Sequence, residues 1–162
     1  SDRNYEKAVH LLLAAMQLDP DNAEYAAEEA DAAKKAKAWE LKKEADEMME
    51  DGDYDDAAKT YAIAASLDPD NDALPKLQRQ AENKAKAQAL KEQGERECDA
   101  RDFAKAVATF DQALALDPSN PEIKQERDEA ARKEAESTVL GSAFGVLARA
   151  RTRRGTRPVA WV

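Results

Sequence analysis

The sequence predicts an all-α fold, an antiparallel helix-turn-helix solenoid in which each repeat pairs a long first helix with a short second one. One pattern of eighteen residues occurs three times, at 5–22, 54–71 and 103–120, with a constant period of 49 residues. Repetition on this scale is typical of stacked helical units. The composition agrees, because only 5 Gly and 6 Pro among 162 residues favour long uninterrupted helices.

The short helix of each repeat is predicted from its apolar spacing. In the middle copy Tyr54, Ala57, Tyr61 and Ala64 recur at the interval that places them on one helix face. Pro69 then ends the helix, because the residue before a proline disfavours the α conformation. The same reasoning predicts a short helix before each of the other two Asp-Pro pairs.

A longer helix is predicted to follow each Asp-Pro pair. Asparagine stands two residues after each of these prolines, at Asn22, Asn71 and Asn120, and it is a favoured N-cap. The long helices are therefore expected over about 22–51, 71–100 and 120–150. The chain then divides into an incomplete first repeat at 1–21, complete repeats at 22–70 and 71–119, a long capping helix at 120–150 and a basic, extended tail at 151–162.

These repeats resemble the tetratricopeptide repeat (TPR) family. The middle repeat carries Gly52-Asp53-Tyr54 in its turn, alanine and an aromatic residue at Ala57 and Tyr61, and Leu67-Asp68-Pro69 at its end. The family's usual unit is about 34 residues, so about 15 residues are added at the start of each long helix. A departure also occurs within the motif, since Glu97 stands where an aromatic residue is usual.

The added segments carry small and apolar residues at helical spacing. Two interpretations are open: neighbouring extensions pack on one another and lengthen the core, which we favour, or they form a spur that docks elsewhere. The residues concerned are Ala23, Ala26, Ala27, Ala30 and Ala33 in the first extension, Leu74, Leu77, Ala81 and Ala85 in the second, and Ile123, Ala130 and Ala131 in the third.

The resemblance implies a concave groove, lined by the first helices, that binds a peptide or helix of a partner protein. Trp39 reads equally well as a groove residue or as core, and so do Leu140 and Phe144. Binding of the acidic C-terminus of a chaperone is disfavoured, because Asp46 and Glu92 stand where grooves of that type have asparagines. Their carboxylates would repel the carboxylate of the ligand. The groove residues carried over are Trp39, Lys42, Asp46 and Met49, then Gln88, Lys91 and Glu95, and finally Leu140 and Phe144.

Catalysis is not expected, because no set of residues forms a convergent reactive site. His10 is the only histidine, and Cys98 lies among acidic residues that should raise its pKa. Acidic strings at 51–56 and 68–72 lack the glycine and the terminal glutamate that a calcium loop needs. We therefore expect neither a cofactor nor a metal ion.

The charge distribution separates the body of the chain from its tail. The net charge is −9, yet the last 25 residues hold five arginines and no acid. An acidic body disfavours nucleic acid as the main ligand. The tail is expected to contact this chain, a second copy or an acidic partner, unless it has no binding role. Its contact residues are predicted to be Arg151, Arg153, Arg154, Arg157 and Trp161.

Location and function follow as expectations. No run approaches the length of a membrane span, and a single cysteine suits a reducing compartment such as the cytoplasm, including its cytoskeleton. We expect a non-catalytic scaffold that binds protein partners. The alternative is a structural subunit that packs through its elongated helices in a large cytoskeletal or ciliary assembly, with further repeats or further copies.

Overall fold

A computed structural model describes the backbone of residues 2–153 and the side chains of residues 4–140. Within that part of the chain the regular structure is entirely helical, and consecutive helices pack against one another, so the all-α repeat arrangement is confirmed. The six helices are α1 (Asp2–Leu18), α2 (Ala23–Asp51), α3 (Tyr54–Leu67), α4 (Ala73–Asp99), α5 (Phe103–Leu116) and α6 (Pro121–Arg153).

Asparagine caps start the long helices as predicted. The Asn22 side chain accepts a hydrogen bond from the Glu24 amide at 3.1 Å, and Asn71 accepts one from Ala73 at 3.2 Å. Asn120 accepts from two amides, those of residues 122 and 123. Each bond satisfies an amide that has no partner within its own helix, which is why these boundaries could be predicted so closely.

The turn between a long and a short helix needs left-handed backbone in both complete repeats. Gly52 closes α2 with φ of 90°, a conformation that glycine adopts without strain. Arg101 holds the equivalent position, 49 residues later, with φ of 61°. A side chain there carries a steric cost that glycine avoids.

Two compact units divide the chain, residues 1–86 and 87–162, and the boundary falls inside α4. The first unit has a core of small side chains around one aromatic ring. Tyr61 is 2% exposed and is surrounded by Ala45, Ala57 and Ala64, all wholly buried. Leu74, from the start of α4, completes this cluster.

The second unit repeats this arrangement with different residues. Phe110 and Ile123 take the places of Tyr61 and Leu74, and both are fully buried. Gly94 lies where the first unit has Ala45, and a Cβ atom there would stand 2.6 Å from a carbon of the Phe110 ring. The glycine therefore allows the ring to lie directly against the helix backbone.

Apolar residues of the second and third extensions are buried in the hydrophobic cores, so these extensions lengthen the core. That neighbouring extensions also pack on one another stays a prediction. Leu74 and Ala81 belong to the cluster formed by α3 and the second half of α2. In the first extension Ala26 and Ala30 are exposed, and Ala32 is the buried residue instead. The second and third extensions thus complete the core of the repeat before them.

Helix α6 continues to Arg153, three residues beyond the predicted end near residue 150. Arg151 and Arg153 of the predicted tail therefore lie on helical backbone. Arg154, Arg157 and Trp161 lie outside the described residues, and so does the side chain of Phe144.

Candidate peptide-binding cleft

The first unit contains a cleft where α1, the middle of α2 and the turn before α4 meet. Its inner part has a volume of about 220 Å³ and is lined by Tyr5, Lys35, Trp39, Lys42 and Asp68, among others. An outer part of about 460 Å³ shares Tyr5, Lys35 and Asp68 with it and is otherwise lined by the acidic turn. Two aromatic side chains, two lysines and several carboxylates thus converge on one concave surface.

Both lysines of the cleft are already held by carboxylates of the chain. Lys42 donates to Asp46 at 2.6 Å, and Asp46 also accepts a hydrogen bond of 2.6 Å from the Tyr61 hydroxyl. Lys35 pairs with Asp31 at 2.9 Å and with Asp70 at 3.5 Å. Their positive charges are therefore largely compensated before any ligand arrives.

The Tyr61 hydroxyl anchors this arrangement to the core. Burial raises the pKa of Tyr61 well above its ordinary value, and the hydrogen bond to Asp46 raises it further. The phenol therefore stays protonated and donates to the carboxylate at neutral pH. It links the core ring of the first unit to the lysine at the cleft wall.

Asp68 is mostly buried and, unlike Asp46 and Asp70, has no partner among the described residues. The residue is only 7% exposed and lines both parts of the cleft. Within the described part of the chain its carboxylate makes no hydrogen bond or ion pair. Asp117, its equivalent in the second unit, is 8% exposed but accepts from Ser119 at 3.3 Å and from Asn120 at 3.2 Å.

Lys91 is the equivalent of Lys42 in the second unit, and it is buried beneath three carboxylates. Its ammonium group lies 3.0 Å from Glu95, 3.2 Å from Glu122 and 3.4 Å from Glu126, and the residue is 8% exposed. Burial alone would lower the pKa of Lys91, but these carboxylates more than offset it and raise the pKa. The first unit has Ala73 and Leu77 at the positions of the two glutamates from α6.

The structure places some of the predicted groove residues in the cleft and others in the core or in ion pairs. Trp39 and Lys42 lie together, half-buried, in the cleft, and Asp46 lies beside them. Met49 packs against the core of the first unit. The ammonium group of Lys91 is engaged in the three ion pairs described above. A role of Lys91 in binding therefore stays a prediction.

The remaining predicted residues lie on the second unit. Gln88 is half-buried, Glu95 is exposed, and Leu140 is 59% exposed on α6. Leu140 is therefore not covered core within the described part of the chain, although its role in binding stays untested. Phe144 and the tail contacts remain predictions.

Six residues of the inner cleft were not predicted as groove residues, and four of them carry polar groups, namely Tyr5, Lys35, Asp68 and Asn71. Asp68 and Asn71 were assigned only to the turn and the cap, because their spacing explained them completely. One signal was available: Asp70 replaces the hydroxyl donor that Ser119 supplies at the equivalent position. That substitution leaves a buried carboxylate with one donor fewer.

Neither residue considered for catalysis gains a reactive setting. His10 is exposed on α1. The pKa of Cys98 is raised as predicted, but mainly by burial, with nearby carboxylates adding to the effect. Among the described residues no group of carboxylates, histidines and cysteines is arranged to hold a metal ion.

Comparisons with known proteins add no assignment. No protein-family profile matches the sequence, and no curated protein or solved structure shows significant similarity to it. The resemblance to tetratricopeptide repeats therefore rests on the residues quoted above. Separately, among the described residues no helix is both long and apolar enough to cross a membrane.

Proposed function

We propose that this protein is a non-catalytic interaction module of the tetratricopeptide type that binds an extended peptide of a partner protein in the cleft of its first unit. The observation that carries the proposal is the half-buried Trp39 beside Lys42 and the unpartnered Asp68. Tryptophan in such a pocket is a common binding hot spot. The outer part of the cleft offers polar groups to the flanking peptide backbone.

Internal comparison supports this choice of surface. The second unit replaces Trp39 by Gln88 and surrounds the equivalent lysine with three carboxylates. These ion pairs occupy the ammonium group of Lys91, which is therefore not available to a ligand. The first unit keeps an aromatic face and an unsatisfied carboxylate at a concave surface, which are the features expected of a binding site.

A displayed library of random peptides tests the proposal. The bait is the full chain with Trp161→Phe, which leaves Trp39 as the only tryptophan and thus as a reporter inside the cleft. Selected peptides should change the emission of Trp39. In Trp39→Gln, which introduces the residue of the second unit, affinity measured by fluorescence anisotropy of labelled peptide should fall roughly thirtyfold.

The matched control is Gln88→Ala, which alters the equivalent position of the second unit and should leave affinity unchanged. Circular dichroism must show equal helix content in all variants. Peptides that bind Trp39→Gln as well as the parent would place the site elsewhere and refute the proposal for this cleft.

Exposed apolar side chains favour a second candidate, a structural subunit of a large assembly. Leu11 and Leu18 on α1 are 72% and 89% exposed, and Ile63 on α3 is 53% exposed. Such side chains suit packing against further repeats or further copies. Light scattering at increasing protein concentration tests this candidate, since concentration-dependent assembly supports it and a constant monomer mass contradicts it.

The reducing cytoplasm, including its cytoskeleton, is the proposed location. The only cysteine, Cys98, is a free thiol. A protein without disulfides suits a compartment that keeps thiols reduced. Nucleic acid is a poor candidate for the main partner, because the net charge of −9 opposes phosphate binding.

A further inference from the structure

The inner part of the cleft contains a buried carboxylate that a ligand can satisfy. Asp68 is 7% exposed, lines the cavity and makes no hydrogen bond or ion pair within the described residues. The Asp68 carboxylate therefore has little access to water and no protein group to compensate its charge. A ligand that donates hydrogen bonds to it compensates that charge, and a cationic donor does so best.

The remaining charges of the cleft also favour a cation. Three carboxylates line its two parts, those of Asp68, Asp70 and Asp72, against the ammonium groups of Lys35 and Lys42. Both lysines have carboxylate partners of their own, at 2.9 Å and 2.6 Å respectively. An anionic ligand would therefore compete with existing ion pairs and meet an excess of negative charge.

Aromatic neighbours narrow the choice of cation. Tyr5 and Trp39 line the same inner cavity as Asp68. A guanidinium group stacks on aromatic faces and presents a planar fork of donors to a carboxylate, whereas an ammonium group is a strongly hydrated point charge. The cavity of about 220 Å³ is smaller than the roughly 300–1,000 Å³ of pockets that hold a drug-sized ligand. It suits a single side chain.

We infer that the inner cleft is a subsite for an arginine side chain of the bound partner peptide, with the Asp68 carboxylate accepting from the guanidinium and Trp39 offering an aromatic surface. This inference rests on the proposed function and adds its specificity. The partner is accordingly a protein with an arginine in an extended segment. Neighbouring acidic residues at the outer cleft favour further basic residues beside that arginine.

The same peptide library tests the subsite. Peptides selected on the full chain with Trp161→Phe should share an arginine at one fixed position. Replacing that arginine by glutamine, or Asp68 by asparagine, should weaken binding roughly tenfold to a hundredfold. Once Asp68 is asparagine, the arginine substitution should have little additional effect, because the two changes remove the same contact.

Asp117→Asn is the matched control, since Asp117 is equally buried but already accepts two hydrogen bonds. It should leave the arginine preference unchanged. Peptides that change Trp39 emission but lack a fixed arginine would overturn the subsite while the proposed function stands. If lysine replaced arginine without loss, the guanidinium assignment would be wrong. If no peptide changed Trp39 emission, both proposals would fail.

The basic C-terminal segment of the chain provides the last test. Full-length protein with its five C-terminal arginines changed to glutamine should bind the selected peptides with the affinity of the parent. A gain of tenfold or more would show that the chain's own arginines occupy the cleft, which overturns a partner protein as the occupant.

Discussion

Replacing Gly94 by alanine places a methyl group against the ring of Phe110. An ideal Cβ at this position lies 2.6, 2.7 and 2.9 Å from three ring carbons, whereas carbon atoms in contact are normally about 3.5–4.0 Å apart. The ring is 1% exposed and cannot turn outwards without disturbing the core of the second unit. We therefore expect the substitution to destabilise the protein.

Two opposing effects set the magnitude of this loss. Alanine is a better helix former than glycine by about 1 kcal/mol. Overpacking of a well-filled core costs about 1–3 kcal/mol, and three close contacts favour the upper part of that range. The free energy of unfolding should therefore fall by about 1–2 kcal/mol, as measured by urea denaturation with circular dichroism at 222 nm.

The ring itself provides the control. In a Phe110→Leu background the obstruction is removed, so Gly94→Ala should be neutral or should stabilise the protein by up to about 1 kcal/mol. Ala45→Gly, the reverse change at the equivalent position of the first unit, should destabilise by about 1 kcal/mol. If Gly94→Ala stabilised the wild-type protein, close packing of the ring on the backbone would be refuted.

Three further substitutions test individual contacts. Arg101→Gly should raise the free energy of unfolding by about 0.5–1 kcal/mol in the same assay, because Arg101 has φ of 61°; unchanged stability would show that this conformation is not strained. Tyr61→Phe should lower it by about 1 kcal/mol, since the bond to Asp46 is lost while the ring stays buried; no loss would mean that water replaces the hydroxyl. Burial would raise the pKa of Glu97, but hydrogen bonds from Thr109, Gln93 and Lys105 outweigh it and lower the pKa below the ordinary value. Its stabilising contribution is therefore present above that ordinary value and lost as the pH falls through the folded pKa. The stability difference between wild type and Glu97→Gln should narrow between about pH 5 and pH 3, and a constant difference would contradict this assignment.

Local signals allowed the helices to be predicted from the sequence. The asparagine caps and the Asp-Pro pairs fix helix ends through contacts within a few residues, so the boundaries of α2 lie within a residue of those expected. The buried positions Ala57, Tyr61 and Ala64 followed from helical spacing alone. The repeat period then extended each of these assignments to the other copy.

Contacts between distant residues could not be predicted in this way. Lys91 meets Glu122 and Glu126 only because the start of α6 lies beside the end of α4 in the second unit. The sequence pattern gives the exposed face of each helix but not its neighbour. The open cleft escaped prediction for the same reason, since Asp68 differs from Asp117 only in the hydrogen bonds that its neighbours make.

The repeat places two equivalent lysines, Lys42 and Lys91, in different surroundings within one chain. Around Lys91 two glutamates complete an ion cluster, while around Lys42 the corresponding residues are Ala73 and Leu77. The ion pairs around Lys91 therefore depend on the second copy alone, and the first copy folds without their counterparts. Two copies of one helical framework can therefore differ in surface charge at the same position while they keep the same buried positions.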